Sequence, residues 1–207
     1  MKIIRSTVIN YISDEIPEGA RVLDLGCGNG DLLWSLMRHK NITGYGVDID
    51  TDAIVNCIGK GISAIQYDLE DMPLQFANKS FDVVIFNQTI QQIHNVDALI
   101  SEMLRIGKEC LLGFTNFGFM PTRTQLFFRG RMPENDDLPF SWNDTPNVHY
   151  LTVLDFKQYC KDHNILINKE IYLRRRRNRM SYKQVHFLPN MRAELAFYRI
   201  SRDRSRL

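Results

Sequence analysis

The sequence lacks the features that mark several large classes of protein. No apolar run approaches the roughly 20 residues needed to cross a bilayer, so no membrane-spanning helix is expected. The first residues carry neither the apolar core nor the cleavage site of a secretory signal peptide. Its four cysteines, at 27, 57, 110 and 160, show no CxxC spacing, which argues against a disulfide framework and a metal site. We therefore expect a cytoplasmic protein without a metal.

Excess charge of one sign is also absent. The chain has 26 basic and 24 acidic side chains, and a net charge of +2 exerts no strong attraction on nucleic acid. The local exception is LRRRRNR, residues 173–179, which contains the run Arg174–Arg177. Tyr172 and Tyr182 flank this run without interleaving it, unlike the stacking residues of nucleic-acid sites. The sequence favours a solvated loop or hairpin tip here and assigns the arginines no role.

Apolar β-prone runs alternate with amphipathic helical patterns along most of the chain. The predicted strands are RVLDL (21–25), YGVDI (45–49), SAIQY (63–67), FDVVIF (81–86), CLLGFT (110–115) and two near 165–172 and 193–200. Thr51 and Asp52 are the predicted cap of the second helix, and Asn95 opens a later one. This alternation predicts a single α/β domain over 1–207, with a doubly wound, mostly parallel seven-stranded sheet and an antiparallel last strand.

The stretch DLGCGNG, Asp24 to Gly30, joins the first predicted strand to the first helix. In doubly wound folds, ligands bind at this edge of the sheet. The dinucleotide fingerprint GxGxxG would require a third glycine where this chain has Asp31. A pyrophosphate has little use for the nearby Asp24 carboxylate, whereas a ligand with an ammonium and a sulfonium would be attracted to it. A nicotinamide cofactor and a relic pocket remain as alternatives.

Further polar side chains follow the next three predicted strands. Asp48 ends the second strand, where its carboxylate can accept hydrogen bonds from ribose hydroxyls. Asp68 follows the third strand and can accept from an adenine amino group, with Leu69 beside the base. Asn87 follows the fourth strand. In this order the features resemble motifs I to IV of the class I S-adenosylmethionine-dependent methyltransferases. The resemblance implies S-adenosyl-L-methionine or S-adenosyl-L-homocysteine as cofactor, in a Rossmann-like fold. The cofactor-binding residues it implies are Asp24, Gly26, Cys27, Gly28, Asp48, Ile49, Asp68, Leu69, Asn87 and Gln88.

A Pro- and aromatic-rich segment, residues 116–151, follows the fifth predicted strand. It is expected to be a long insert at the same edge of the sheet, serving as a packed surface loop, a lid or an interaction surface. Aromatic residues and arginines are the types that anchor protein interfaces. The candidate partner or lid residues are Arg129, Arg131, Phe140, Trp142 and His149.

Several longer stretches resemble the methionine biosynthesis protein MetW family. They are VLDLGCGNGDLL, FNQTIQQ, EMLRIGKECLLGFTNFG, GRMP, LPFSWNDTPNVHYLTVLDF and LPNMRAELAFYRI. The match extends from about residue 20 to about residue 200. This chain has Asp48 where the family commonly has Glu, and Asn87 where Ser is usual, while the arginine run is outside the pattern.

The resemblance implies a role in methionine biosynthesis together with homoserine O-acyltransferase. The chain has no GxSxG elbow for acyl transfer, so we expect an S-adenosylmethionine-binding partner or activator of that enzyme. A small-molecule methyltransferase is the alternative, and an RNA methyltransferase is a further one. His94, which follows the fourth predicted strand, is the candidate catalytic base. The residues leave open whether methyl transfer occurs and onto what, whether the acyl group is succinyl or acetyl, and the oligomeric state.

Overall fold

The computed structural model of the protein describes residues 2–135, 138–176 and 181–202, with side chains described from residue 8. It has an α/β fold with an eight-stranded, mostly parallel sheet and antiparallel strands toward the C-terminus. The chain divides into two compact units, residues 1–87 with 95–112, and residues 88–94 with 113–207. Within the described ranges, no helix is long and apolar enough to cross a membrane. The assignment of 1–207 as one domain stays a prediction.

The first unit contains most of the alternating elements. In chain order they are α1 (Lys2–Asp14), β1 (Arg21–Leu25), α2 (Asp31–Lys40), β2 (Thr43–Asp48), α3 (Thr51–Gly59), β3 (Ser63–Gln66), β4 (Phe81–Asn87), α4 (Val96–Ile106) and β5 (Gly107–Thr115), whose last residues belong to the second unit. The strand order is β3-β2-β1-β4-β5. Because the chain places β2 and β3 on one side of β1 and β4 on the other, β1 and β4 flank a topological switch point.

Parallel pairing aligns the carboxyl ends of these strands. Leu25 of β1 is level with Val47 of β2 and with Phe86 of β4, and Asp48 is level with Gln66 of β3. β1 and β4 are largely buried, as apolar strands covered on both faces should be. The loops after β1, β2, β3 and β4 therefore leave the sheet at one edge.

The helix caps differ from the sequence expectation at one position. The cap of α3 is Asp50, whose carboxylate accepts hydrogen bonds from the backbone N–H groups of Asp52 and Ala53. Thr51 and Asp52, the predicted cap, are already inside the helix because the strand before it ends earlier than predicted. Asn95 caps α4 as predicted, by accepting from the N–H of Ala98 at 3.0 Å.

The second unit contains the C-terminal strands and the segment that the sequence marked as an insert. Its elements are a 3₁₀ turn (Ile90–Gln92), α5 (Met120–Arg129), α6 (Val153–Asp162), β6 (Ile165–Arg175), β7 (Tyr182–Gln184), α7 (Pro189–Arg192) and β8 (Leu195–Arg202). β8 pairs antiparallel with β6, which confirms the predicted antiparallel last strand. The predicted count of seven strands was wrong because β7, only three residues long, carries too little pattern to be recognised.

An aromatic cluster forms the core of the second unit. The rings of Phe114 and Tyr198 stack with their centroids 5.8 Å apart, and Phe156 packs against both. Asn116 is buried nearby, and its side-chain amide donates to the carbonyl of Ala193 at 2.8 Å. This amide fixes the chain where β5 ends and the 116–151 segment begins.

The 116–151 segment is partly helical. α5 occupies ten of its residues, with Pro121 in the first turn and Gly130 in the left-handed conformation at its end. Proline suits a first helical turn because its missing N–H would have no partner there. The sequence analysis predicted no helix in this segment, because Thr122 is the only buried residue of α5 and the helix therefore shows no apolar face.

Candidate functional site

The glycine loop after β1 has a left-handed backbone at three positions. Gly26, Gly28 and Gly30 have φ angles of 71°, 52° and 73°, which residues with a Cβ adopt only with strain. The N–H groups of Gly26 and Cys27 both donate to the carbonyl of Val47 at the end of β2. The loop is thereby held against β2 and turns directly into α2.

Asp48 ties the end of β2 to this loop. One carboxylate oxygen accepts from the N–H of Gly28 at 2.7 Å, and the other accepts from the N–H of Asp50 at 3.0 Å. Each carboxylate oxygen has a second lone pair, so the side chain can accept further hydrogen bonds. Its half-buried position leaves that capacity accessible from solvent.

The carboxyl group of Asp24 is buried and isolated. Only 3% of the residue is exposed, and within the described part of the chain no hydrogen bond or ion pair reaches this side chain. Burial, reinforced by the negative charge of Asp48, raises the pKa of Asp24 to about 8. A cation placed beside this buried group would favour its ionised form.

Two cysteines pack beneath the loop. The sulfur atoms of Cys27 and Cys57 are 3.9 Å apart, and both thiols lie close to the carbonyl of Gly28. Burial raises the pKa of each thiol. Because a thiolate is the reactive form, these cysteines are packing residues rather than nucleophiles.

Lys60 is a loop-supporting residue that the sequence did not reveal. Its ammonium donates to the carbonyl of Asn29 at 2.6 Å and to the carboxylate of Asp31 at 2.7 Å. It follows directly after α3, and only the fold brings it to the loop. Lys60 lies about thirty positions after Asn29 and Asp31 in the sequence, so no local sequence pattern links it to the loop.

The other predicted cofactor residues of the first unit lie at the ends of β2, β3 and β4. Ile49 follows Asp48 and is largely exposed, whereas Leu69 is buried. Asp68 is half-buried and accepts from the N–H of Glu70 at 2.9 Å. Asn87 is the last residue of β4 rather than the first after it. Each of these residues lies at or just after the carboxyl end of its strand, and these strand ends are aligned.

Gln88, His94 and His149 belong to the second unit. Gln88 has a positive φ of 60°, and its N–H donates to the carbonyl of Gly113. The Nε2 atom of His149 is 3.3 Å from the carbonyl oxygen of His94. The backbone N–H of His149 donates to the carbonyl of Gln91, which is buried. His149 therefore holds the segment 148–149 against the 3₁₀ turn, while the His94 side chain is exposed.

The four remaining candidates for a partner surface all lie in exposed positions. Trp142 is 75% exposed, Phe140 is partly exposed, and Arg129 and Arg131 stand on either side of Gly130. The sequence reading missed Phe127 and Phe128 of α5, which are 82% and 80% exposed. Adjacent aromatics near a helix end look like core residues in a sequence, and only the structure shows that they face solvent.

Comparison with known proteins places the chain in a family. The model of the family described as "Methionine biosynthesis protein MetW" matches residues 7–200. The chain belongs to the MetW family. It is also 34% identical over 170 residues to the bifunctional methionine biosynthesis protein MetXA/MetW of Rhodopirellula baltica. That match covers 78% of this chain but only 27% of the bifunctional protein.

Solved structures show the same fold. A SAM-dependent methyltransferase from Thermotoga maritima, described as a possible histamine N-methyltransferase, aligns with a TM-score of 0.70 at 13% identity, covering 96% of this chain and 88% of that one. Magnesium protoporphyrin IX methyltransferase from Synechocystis PCC 6803, solved with bound SAH, aligns with a TM-score of 0.65 at 16% identity, covering 96% of this chain and 81% of that one. The chain therefore has the class I methyltransferase fold, and the family to which it belongs is described as a methionine biosynthesis family.

Proposed function

We propose that the first unit binds S-adenosyl-L-methionine or S-adenosyl-L-homocysteine at the glycine loop. The observation that carries the proposal is the isolated Asp24 carboxyl group, buried at the end of β1 beside a loop of left-handed glycines. Both ligands carry an ammonium group, and the methylated form adds a sulfonium. A cation beside Asp24 would stabilise its ionised form and remove the penalty of burying an unpaired acid.

In this proposal, residues at different strand ends bind different parts of the ligand. Asp48 accepts from the ribose hydroxyls with the lone pairs that Gly28 and Asp50 leave unused. The exposed Ile49 and the buried Leu69 offer apolar contact to the adenine, and Asp68 accepts from its amino group. Gly26 and Gly28 allow the amino-acid part to approach the backbone because neither carries a Cβ.

We further propose that the protein acts with homoserine O-acyltransferase as a ligand-binding partner. The support is the bifunctional relative, in which a MetW-like region occurs in one chain with a region named MetXA. The fusion keeps the two regions together, which is what association of separate chains would also achieve. Among the described residues, the four cysteines are buried, so they offer no exposed thiol nucleophile for acyl transfer. In this proposal the partner supplies the acyl-transfer chemistry, and this chain supplies the response to the ligand.

An activity assay tests this function directly. Homoserine O-acyltransferase is measured for acyl-homoserine formation alone, with this protein, and with this protein plus S-adenosylmethionine. We expect the rate of acyl-homoserine formation to change when the protein is added. That rate should depend on S-adenosylmethionine with the wild-type protein but not with the variant Asp24→Asn. The matched control is Asp52→Asn, an exposed acid on α3. No effect of the protein on the acyltransferase, together with steady methylation of a small acceptor by the protein alone, would favour the methyltransferase alternative.

A further inference from the structure

The C-terminal end of α3, with the residue that follows it, contacts the glycine loop at three points. Cys57 donates from its thiol to the carbonyl of Gly28 at 3.2 Å. Asn56 donates from its side-chain amide to Oδ1 of Asn29 at 3.3 Å. Lys60 donates from its ammonium to the backbone carbonyl of Asn29 at 2.6 Å. These three residues, Asn56, Cys57 and Lys60, are called the α3 clamp below.

The α3 clamp fixes the orientation of two peptide groups in the loop. The carbonyls of Gly28 and Asn29 both accept from the clamp, so both are turned toward α3. In a planar trans peptide the C=O and the N–H point in opposite directions. The N–H of Asn29 belongs to the same peptide group as the Gly28 carbonyl, so it points away from Cys57. The clamp therefore determines where this N–H is directed.

The N–H of Asn29 is the donor of the glycine loop that the protein itself leaves unused. The other four N–H groups of the loop donate to acceptors at the end of β2 or in the loop; they belong to Gly26, Cys27, Gly28 and Gly30. Among the described residues, no acceptor lies within hydrogen-bond distance of the Asn29 N–H. Because every backbone N–H is a hydrogen-bond donor, this group is available to an acceptor brought by a ligand.

Lys60 also compensates the charge of Asp31, the first residue of α2. Its ammonium lies 2.7 Å from a carboxylate oxygen of Asp31, and the two side chains are 31% and 56% exposed. Exposed ion pairs contribute little to folding stability. An Asp31 carboxylate without this partner would, however, repel an anionic group that approaches the loop. The charge of Lys60 therefore matters more to an anion at the loop than to the fold.

We propose that Lys60 is a positioning residue for the amino-acid end of the ligand at the glycine loop. With the rest of the α3 clamp it aims the Asn29 N–H at the carboxylate of S-adenosyl-L-methionine or S-adenosyl-L-homocysteine, and it neutralises Asp31 beside that carboxylate. Lys60 acts through the loop, whereas Asp48 and Asp68 bind the adenosine part. The clamp therefore affects the amino-acid end of the ligand alone. The proposal rests on the ligand site proposed above.

Calorimetry on the full chain with two ligands tests this role. S-adenosylhomocysteine has the amino-acid end, whereas methylthioadenosine keeps the adenine, ribose and thioether but lacks the amino and carboxyl groups. In Lys60→Met, the affinity for S-adenosylhomocysteine should fall about tenfold, the usual effect of losing a hydrogen bond to a charged group. The affinity for methylthioadenosine should be unchanged. Lys60→Arg should restore most of the loss, because a guanidinium also donates to Asn29 and Asp31.

The matched control is Lys108→Met. Lys108 forms an ion pair of the same length, 2.7 Å, with Asp82 near the beginning of β4, away from the carboxyl ends of the strands. This variant should keep both affinities, and urea unfolding should show the same small loss of stability as in Lys60→Met. Asn56→Ala removes one contact of the α3 clamp and keeps the Lys60–Asp31 pair. It should cause a smaller loss of S-adenosylhomocysteine affinity, which gives a result even if Lys60→Met fails to fold.

The ratio of the two affinities separates positioning from a general structural effect. The proposal is overturned if Lys60→Met leaves S-adenosylhomocysteine binding unchanged, or if it weakens both ligands equally, as a disordered loop would. It is also overturned if Lys108→Met causes the same selective loss. If the wild type binds neither ligand, the glycine-loop site proposed above fails as well. If the wild type binds both ligands, a negative result for Lys60→Met overturns the role of Lys60 alone.

Discussion

Asp24 is the penultimate residue of β1 and Asp48 is the last residue of the neighbouring β2, yet their environments differ. Asp48 accepts two backbone N–H groups, which stabilise its charge, while Asp24 is buried without such donors. Hydrogen bonds to the charged form and burial away from water act in opposite directions on a carboxyl group. Asp24 is therefore the acid whose ionisation a neighbouring cation would favour.

The raised pKa of Asp24 predicts that ligand binding is linked to proton release. With a pKa of about 8, Asp24 is mostly protonated at pH 7 in the free protein and must lose its proton beside a cationic ligand. Affinity for S-adenosylmethionine should therefore rise with pH and level off above about pH 8. Calorimetry at pH 7 in buffers of different ionisation enthalpy measures the released proton. Asp24→Asn should bind weakly with no such dependence, and an equal slope in wild type and variant would contradict the assignment.

The same side chain predicts a pH dependence of folding stability. The folded state binds the proton of Asp24 more tightly than the unfolded chain, whose pKa is near 3.8. The stabilisation is therefore complete below about pH 4 and is lost as pH rises through about 8. Urea unfolding of the ligand-free protein across this range should show a decline that Asp24→Asn removes. Asp52→Asn, at an exposed position, should keep the wild-type profile.

Removal of the Asp48 carboxylate should weaken cofactor binding. Asp48→Ala removes the acceptor of the Gly28 N–H and, in the proposed complex, of the ribose hydroxyls. Losing charge-assisted hydrogen bonds costs roughly 1.5–3 kcal/mol, about ten- to a hundredfold in affinity. Asp48→Glu should retain much of the affinity because the acceptor group is kept. If calorimetry finds Asp48→Ala equal to wild type, the ribose assignment is wrong.

At the scale of elements, replacing a glycine of the β1–α2 loop has two separate effects, which are backbone strain and collision of the new Cβ with its neighbours. A Cβ on Gly30 would lie 2.6 Å from Ile62 Cδ1 and 2.7 Å from Cys57 Sγ, whereas a Cβ on Gly28 would meet nothing within 4 Å. Both residues have positive φ, so alanine is strained at either, by about 1–2 kcal/mol. Gly30→Ala should cost roughly 1–3 kcal/mol more, because Ile62 and Cys57 are buried and cannot move aside freely.

Urea unfolding of the two alanine variants measures this difference. Gly28→Ala is the matched control, since it carries the backbone strain without the collisions. The expected order of unfolding free energy is wild type, Gly28→Ala, then Gly30→Ala. Equal losses in the two variants would show that the collisions are relieved by small shifts of the two side chains.

The elements themselves differ in how well their sequences reveal them. β1, β2 and β4 were predicted within about two residues because buried parallel strands form short apolar runs bounded by turn residues. α5 was missed because its exposed aromatics give no inward-facing stripe, and β7 because it is too short. A local sequence pattern identifies a helix or strand only when one of its faces packs against a core.

At the scale of the molecule, the exposed aromatic residues of the 116–151 segment predict a separable partner surface. Trp142→Ala together with Arg131→Ala should weaken association with homoserine O-acyltransferase and leave S-adenosylmethionine affinity within a few-fold. Aromatic and arginine anchors carry much of the energy of interfaces, and both residues are exposed here. Phe127→Ala with Phe128→Ala extends the test to α5. Pull-down and calorimetry on the same variants measure the two effects, and equal losses would mark the segment as a lid.

The sequence by itself determined the α/β class, the glycine loop with the acids at the strand ends, and the resemblance to the MetW family. These features are local: each depends on residues within one element or on neighbours along the chain. Only the tertiary structure decided that Asp24 is buried with no hydrogen-bond partner among the described residues. It also decided that Phe127 and Phe128 face solvent and that Arg174 stands opposite Lys183. Burial and cross-strand pairing are set by packing between distant segments, and no short stretch of sequence carries that information.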